Sequence, residues 1–223
     1  MQKEKTVHAV LKYFEEPDED CHEIPIGNYI ADIYRDGQII EIQTAQFYRM
    51  REKLSAFLPE YRVRIVHPIP YEKYITWIDP VTGKCGKRNR SPKRGSFYQA
   101  FQELYRIRSF LSDQNLSIEL LLIDMEEYRL QDGWDRTGKR GSHRYDRIPV
   151  RIRESCFLTS PRDYMQLVPL DLPDTFTSAD FAKAAGCAKA RVSTVMLLMT
   201  EMKVLERIGK KGRSYLYRVA ESD

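Results

Sequence analysis

The spacing of apolar positions changes several times along the chain, and each change marks an element. Val7, Val10, Leu11 and Phe14 recur at helical spacing and predict a helix over residues 4–14, ended by an acidic turn at Pro17. From Cys21 to Gln43 the period falls to two, with Ala31, Ile33, Ile40 and Ile42 on one face. Gly27-Asn28 and Asp36-Gly37 are two-residue turn signals that divide this stretch into a three-stranded meander. Pro25 confines its first strand to an edge. Phe47, Met50, Leu54 and Phe57 then predict a helix capped by Thr44, running through Leu58 and stopped by Pro59. Arg62 to Pro68 predicts a strand that returns parallel to the third meander strand through a right-handed crossover.

Tyr71 to Asp79 predicts a further strand, residues 96–111 a helix carrying Phe97, Phe101, Leu104 and Leu111, and residues 117–128 an apolar strand. Residues 131–147 are glycine-rich and basic with no packing period. Residues 148–172 mix short strand-like runs with Pro149, Pro161 and Pro169, as a closing edge and linker would. Beyond Pro173 the pattern predicts helices over 178–185 and 189–202, the second turning Val192, Val195, Met196, Met199 and Met202 inward. A hairpin over 204–219 follows, around Gly209, Lys210, Lys211, Gly212 and Arg213.

Counting outward from the two turns converts spacing into register. Arg35 meets Gln38, Ile33 meets Ile40 and Asp32 meets Glu41; across the other turn Ile26 meets Tyr29, Ile24 meets Ala31 and Glu23 meets Asp32. Three acids then form a row, with Gln43 on the face of Glu41. Directly opposed residues have Cβ atoms roughly 4.5–5.5 Å apart, where like charges repel unless a cation lies between them. A divalent ion is the simplest such cation.

The 223 residues carry 36 Lys and Arg against 32 Asp and Glu, a net charge of +4 that is unevenly spread. Acids crowd the start, whereas residues 84–94 hold Lys84, Lys87, Arg88, Arg90, Lys93 and Arg94 with no acid. That asymmetry suits a cation site beside a polyanion surface. The four cysteines form no CxxC pair, so neither a zinc ribbon nor a disulfide framework is expected. There is no leader-like start and no apolar run of about 18 residues, which points to a cytoplasmic protein with no membrane partner.

Asp32 followed by Glu41-Ile42-Gln43 at the head of a helix resembles the metal site of the PD-(D/E)XK nuclease superfamily, in the form where Gln replaces the final Lys. The match covers about the first two fifths of the chain. The resemblance implies an α/β fold with a restriction-endonuclease-like core, a mixed sheet flanked by helices, in residues 1–165. It implies Mg2+ or Mn2+ held by Asp32, Glu41 and the backbone carbonyl of Ile42, with Gln43 in the Lys position. Gln43 can orient a water or phosphate but cannot take a proton or carry charge. Glu23 is the candidate second-metal ligand or auxiliary acid, with Glu4, Glu15 and Glu16 as alternatives. His8 and His67 are expected to be structural.

Residues 166–223, a linker and a small domain, resemble a winged helix-turn-helix, which implies a DNA partner. Lys189, Arg191, Ser193 and Thr194 at the start of the second helix would read bases, while Lys210, Lys211 and Arg213 on the wing would meet phosphate. Arg90, Lys93 and Arg94 offer a second phosphate tract. The implied function is a metal-dependent DNA endonuclease or repair-type nuclease, possible as a homodimer where two strands are cut. Its alternative is a non-catalytic DNA-binding regulator.

Overall fold

A computed structural model describes residues 6–134 and 140–221, with side chains outside 132–143. Glu4 therefore lies outside the described residues, as do the tip of the 131–147 segment and its Trp134 side chain. Helix α1 (Thr6–Glu15) is followed by the meander β1 (His22–Ile26), β2 (Tyr29–Arg35) and β3 (Gln38–Ile42). The pairs His22–Ile33, Ile24–Ala31, Ile26–Tyr29, Ile33–Ile40 and Arg35–Gln38 match the counted register. Gly27 and Gly37 take left-handed backbone in the two turns, at φ 59° and 77°.

The helix expected from Thr44 starts later. Gln46 adopts φ 63°, a 3-10 turn covers Phe47–Met50, and α2 runs only over Arg51–Phe57. The Phe47 N–H is taken by the Glu103 carboxylate at 2.9 Å, so a distant acid does the capping expected of Thr44.

The strands expected at 62–68 and 71–79 are one strand, β4 (Arg62–Ile78), which lies parallel to β3 as predicted. It passes through Pro68 and Pro70 because of where its neighbour ends. The Val66 carbonyl accepts from Gln43 N–H, so even-numbered residues here address the β3 side. The last β3 pair is Ile42–Val66, and the two prolines lie beyond it, where a missing N–H forfeits no ladder bond. Past a register shift after Pro70, the short β5 (Asn89–Arg90) pairs with β4.

The helix expected over 96–111 is broken into 3-10 turns either side of α3 (Phe101–Leu104), with Ile107 at φ −119°. Strands β6 (Leu116–Trp134) and β7 (Arg140–Leu158) pair antiparallel, and β6 lies parallel to β4. Much of the segment expected to lack a packing period is thus ribbon. Its pairs include Glu127–Arg147, Tyr128–Asp146 and Arg129–Arg144, which hide the alternation of apolar residues.

Among the described residues one mixed sheet runs β1-β2-β3-β4-β6-β7, with β5 on β4. One face carries Ile33, Ile40, Ile42, Val66, Leu121, Ile123 and Met125 under Val7 and Leu11 of α1. The other is covered by α2, α3 and their flanking turns through Phe47, Leu54, Phe57, Phe101 and Leu104. This is an α/β architecture with helices on both faces of a mixed sheet.

Beyond residue 165 come β8 (Phe176–Thr177), α4 (Ser178–Ala184), α5 (Lys189–Glu201), β9 (Leu205–Lys211) and β10 (Ser214–Val219), with sheet order β8-β10-β9. Thr177 and Asp180 form a reciprocal capping box at α4. Phe176, Phe181, Val195 and Met199 belong to the same buried cluster as Phe101, Leu104 and Tyr164, so one core crosses the position expected to divide two domains.

Candidate functional site

The β2–β3 ladder has its last pair at Ile33–Ile40, just before Asp32 and Glu41. Past that point side chains replace backbone. The Asp32 carboxylate accepts the Ile42 N–H at 2.8 Å, and the Asp32 N–H points at Glu41 Oε1 at 3.4 Å. The two expected acids are therefore neighbours at the carboxyl end of β3.

A lysine and a histidine missed by the sequence reading complete the group. Lys53 of α2 places Nζ 2.6 Å from Glu41 Oε2, and His8 of α1 places Nε2 3.0 Å from Asp32 Oδ2. His8 was expected to lack a functional partner; the signal that could have linked it is its position beside Val7, one residue off the buried stripe. Lys53 is likewise next to the buried Leu54. It supplies at this site the positive charge that Gln43 cannot.

The electrostatics of the pair are unequal. Glu41 is only 4% exposed, and burial with the adjacent Asp32 charge pushes its carboxyl up to about 7 despite Lys53. Burial also penalises the Asp32 charge, but His8, the Ile42 N–H and Lys53 together hold its carboxyl below the usual range. One carboxylate is thus kept charged and the other is poised near neutrality.

The Gln43 side chain turns to its own loop, its Nε2 donating to the Ala45 carbonyl at 2.6 Å. His67 donates from Nδ1 to the Gln43 carbonyl at 2.7 Å; it is buried, which holds its pKa down, and it packs edge-on against Phe47 as a structural residue would.

Glu23 is not joined to the pair. Its backbone takes φ 52°, and its carboxylate is engaged by the buried Lys12. The alternatives are also occupied: Glu15 pairs with Arg64 at 2.7 Å and Glu16 with Arg35 at 2.6 Å. Among the described residues no group of three or more His, Cys, Asp or Glu has the geometry of a metal site. What the fold assembles is two carboxylates flanked by a lysine and a histidine.

The expected DNA contacts fall on the start of α5, the β9–β10 hairpin and the segment beside β4. Lys189 and Ser193 are exposed and Arg191 and Thr194 half-buried in the first turns of α5, while Lys210, Lys211 and Arg213 are exposed on the β9–β10 hairpin. Lys210 and Arg207 lie over the Tyr215 ring, at 5.2 and 3.6 Å from its centroid. Lys93 is exposed, but Arg90 and Arg94 both pair with Glu72, Arg94 at 2.9 Å. That basic segment is therefore tied to β4 by a carboxylate the sequence pattern did not connect to it.

No helix among the described residues is long and apolar enough to cross a membrane. No solved structure matches the chain. A protein from Treponema pallidum (strain Nichols), described as uncharacterized, is 27% identical over 217 residues, covering 97% of this chain and 85% of its own length. Residues 5–159, which include α1, the meander, the carboxylate pair and the long ribbon, match the family described as Domain of unknown function (DUF8091), and the chain belongs to that family.

Proposed function

We propose that the chain is a metal-dependent nuclease acting on DNA, with Asp32 and Glu41 as its central pair. The observation that carries this reading is the approach of two carboxylates, the buried Glu41 of β3 and the partly buried Asp32 of β2, with Lys53 on one of them. The donor chemistry fits a hard divalent ion: paired carboxylate oxygens, with the Ile42 carbonyl and water to complete the shell. Glu23 is left out of that set, because Lys12 holds it. Bound there, Mg2+ or Mn2+ would polarise a phosphodiester and lower the pKa of a coordinated water.

The protein's own groups do the rest. Lys53 holds positive charge where a phosphate oxygen develops charge, and His8 fixes the orientation of Asp32. Gln43 orients a water or phosphate. The C-terminal helices and hairpin act as a winged helix, placing Lys189, Arg191, Ser193 and Thr194 toward base edges. Lys210, Lys211, Arg213, Lys93 and the outer edges of Arg90 and Arg94 then meet backbone phosphate. Four free thiols suit a reducing cytoplasm. A homodimer would be needed for paired cuts.

Cleavage of supercoiled plasmid with Mg2+ or Mn2+ tests the reading. Asp32→Ala and Glu41→Ala should each lower the rate by about a hundredfold or more, with Lys53→Arg retaining more activity than Lys53→Ala. Cleavage by Glu41→Ala at the wild-type rate would sink it. A second reading, a non-catalytic DNA-binding regulator, is favoured by one observation: the Lys53 ammonium lies on the Glu41 oxygen that a metal ion would otherwise use. It predicts DNA binding that is indifferent to Mn2+ and to both acids.

A further inference from the structure

A cavity of about 220 Å3 is walled by Val7 of α1, Thr44 just past β3, and Arg144, Tyr145, Asp146 and Arg147 of β7. Two of its walls adjoin the carboxylate site in the chain, since His8 follows Val7 and Gln43 precedes Thr44. Ligand pockets for drug-sized molecules run to about 300–1,000 Å3, so this space suits a compact group.

Its charge is unbalanced. Asp146 is the carboxylate in the wall, and it is already satisfied by the Thr6 hydroxyl at 2.5 Å and the Arg147 N–H at 2.8 Å. Glu127, which faces Arg147 across the β6–β7 ladder, is buried among Lys73 at 3.3 Å, Arg129, and Arg144 at 3.8 Å. That leaves the half-buried Arg147 guanidinium with no ion pair within 4 Å among the described residues, although the Glu127 and Asp146 charges act on it from farther away. Burial and then the adjacent Arg144 work against its charge, and the Glu127 and Asp146 carboxylates offset them only in part, so that its pKa is held below the usual arginine value. Keeping an unpaired arginine half-buried beside a second one is costly unless an anion joins them.

We propose that this cavity binds a phosphate monoester, the terminal phosphate of a nucleic-acid strand, held by Arg147 and Arg144 with the Thr44 hydroxyl as a neutral donor. Two guanidinium groups match a group that carries nearly two negative charges at neutral pH and accepts paired N–H bonds. So small a cavity takes a strand end rather than a strand passing through. The inference deepens the nuclease reading, and rests on it only for the ligand being nucleic acid.

The test uses the full chain in EDTA, so that cleavage does not intervene. Affinities are compared for inorganic phosphate and for a short single strand bearing a 5′-phosphate, a 3′-phosphate or hydroxyls at both ends. One phosphorylated strand should bind at least about tenfold tighter than the unphosphorylated one. Arg147→Ala should remove that preference, and Arg147→Lys should keep part of it, while thermal melts confirm that both variants fold. Equal affinity for all three strands, or a preference that survives Arg147→Ala, overturns the proposal. Arg147-dependent binding of inorganic phosphate with no preference among strands overturns the nucleic-acid assignment. Loss of the preference in Arg147→Ala while Asp32→Ala still cuts plasmid normally leaves the phosphate site standing and removes the nuclease reading; the reverse result removes only the phosphate site.

Discussion

Arg64 is held between two acids, with Nη1 2.8 Å from Glu119 and Nη2 2.7 Å from Glu15. One guanidinium cannot offset both carboxylates in so enclosed a place. Burial, then the charge of Glu15, pushes the Glu119 carboxyl from 4.5 to about 7 in spite of Arg64. Because the folded value lies above the unfolded one, the folded state holds a proton that the unfolded chain has released between those limits. Stability from this group is therefore fully present below about pH 4.5 and is lost as pH rises to about 7, with an upper bound of about 3.5 kcal/mol. Glu119→Gln keeps an acceptor for Arg64 and cannot ionise. Urea unfolding at pH 5 and pH 8 should show the variant gaining on the wild type by on the order of 1–3 kcal/mol at the higher pH. Parallel pH profiles for the two proteins would count against this assignment.

Among the elements, the basic segment before α3 depends on one close approach. A Cβ built on Gly95 would lie 2.1 Å from the Pro70 carbonyl oxygen, while the Gly95 N–H donates to the Tyr71 carbonyl at 2.9 Å. Only a residue without a side chain lets the segment return to β4 there. Gly95→Ala should therefore cost about 1–3 kcal/mol and loosen the Ser91 and Gly95 amides, read by hydrogen exchange, while the amides of β2 and β3 stay protected. Unchanged exchange at Ser91 would show that the contact does not hold the segment.

The sequence expressed the elements around the site unequally. Two-residue turns leave no freedom of register, so the approach of Asp32 and Glu41 could be counted. Lys53 and His8 could not, because a helical stripe shows which side is buried but not which strand residue a flanking side chain will meet. The register count put Glu23 in the acid row, and its flanking pairs hold, but its left-handed backbone departs from the strand alternation that would aim its carboxylate at Asp32, and Lys12 engages it instead. The outer part of the β6–β7 ribbon was hidden for a different reason: its cross-strand pairs, such as Glu127–Arg147 and Tyr128–Asp146, are largely charged or polar, and period-two apolar patterning had little there to mark it.

At the scale of the molecule, the change of pattern after Pro173 marks real elements but says nothing of what they pack against. Tyr98 and Phe181 meet edge to face with centroids 6.0 Å apart, and Phe101 and Tyr164 meet at 6.2 Å. The Tyr98 hydroxyl donates to the Leu167 carbonyl at 2.8 Å, fastening the connecting segment to the same place. Helix α5 buries Val192, Val195, Met196, Leu198 and Met199, and those side chains share one cluster with the α2 and α3 side of the sheet. Stability shared through such a cluster is cooperative. Phe181→Ala, at a fully buried position, should cost about 3–5 kcal/mol. The loss should be felt equally far away: in hydrogen exchange, the slowest amides of β4 and β6, such as Val66 and Leu120, should speed up in step with those of α5. Heating should give a single transition at a lower midpoint. Two separated transitions, or β4 amides as protected as in the wild type, would mean that residues 166–223 fold as an independent unit and that the shared aromatic contacts add little to either part.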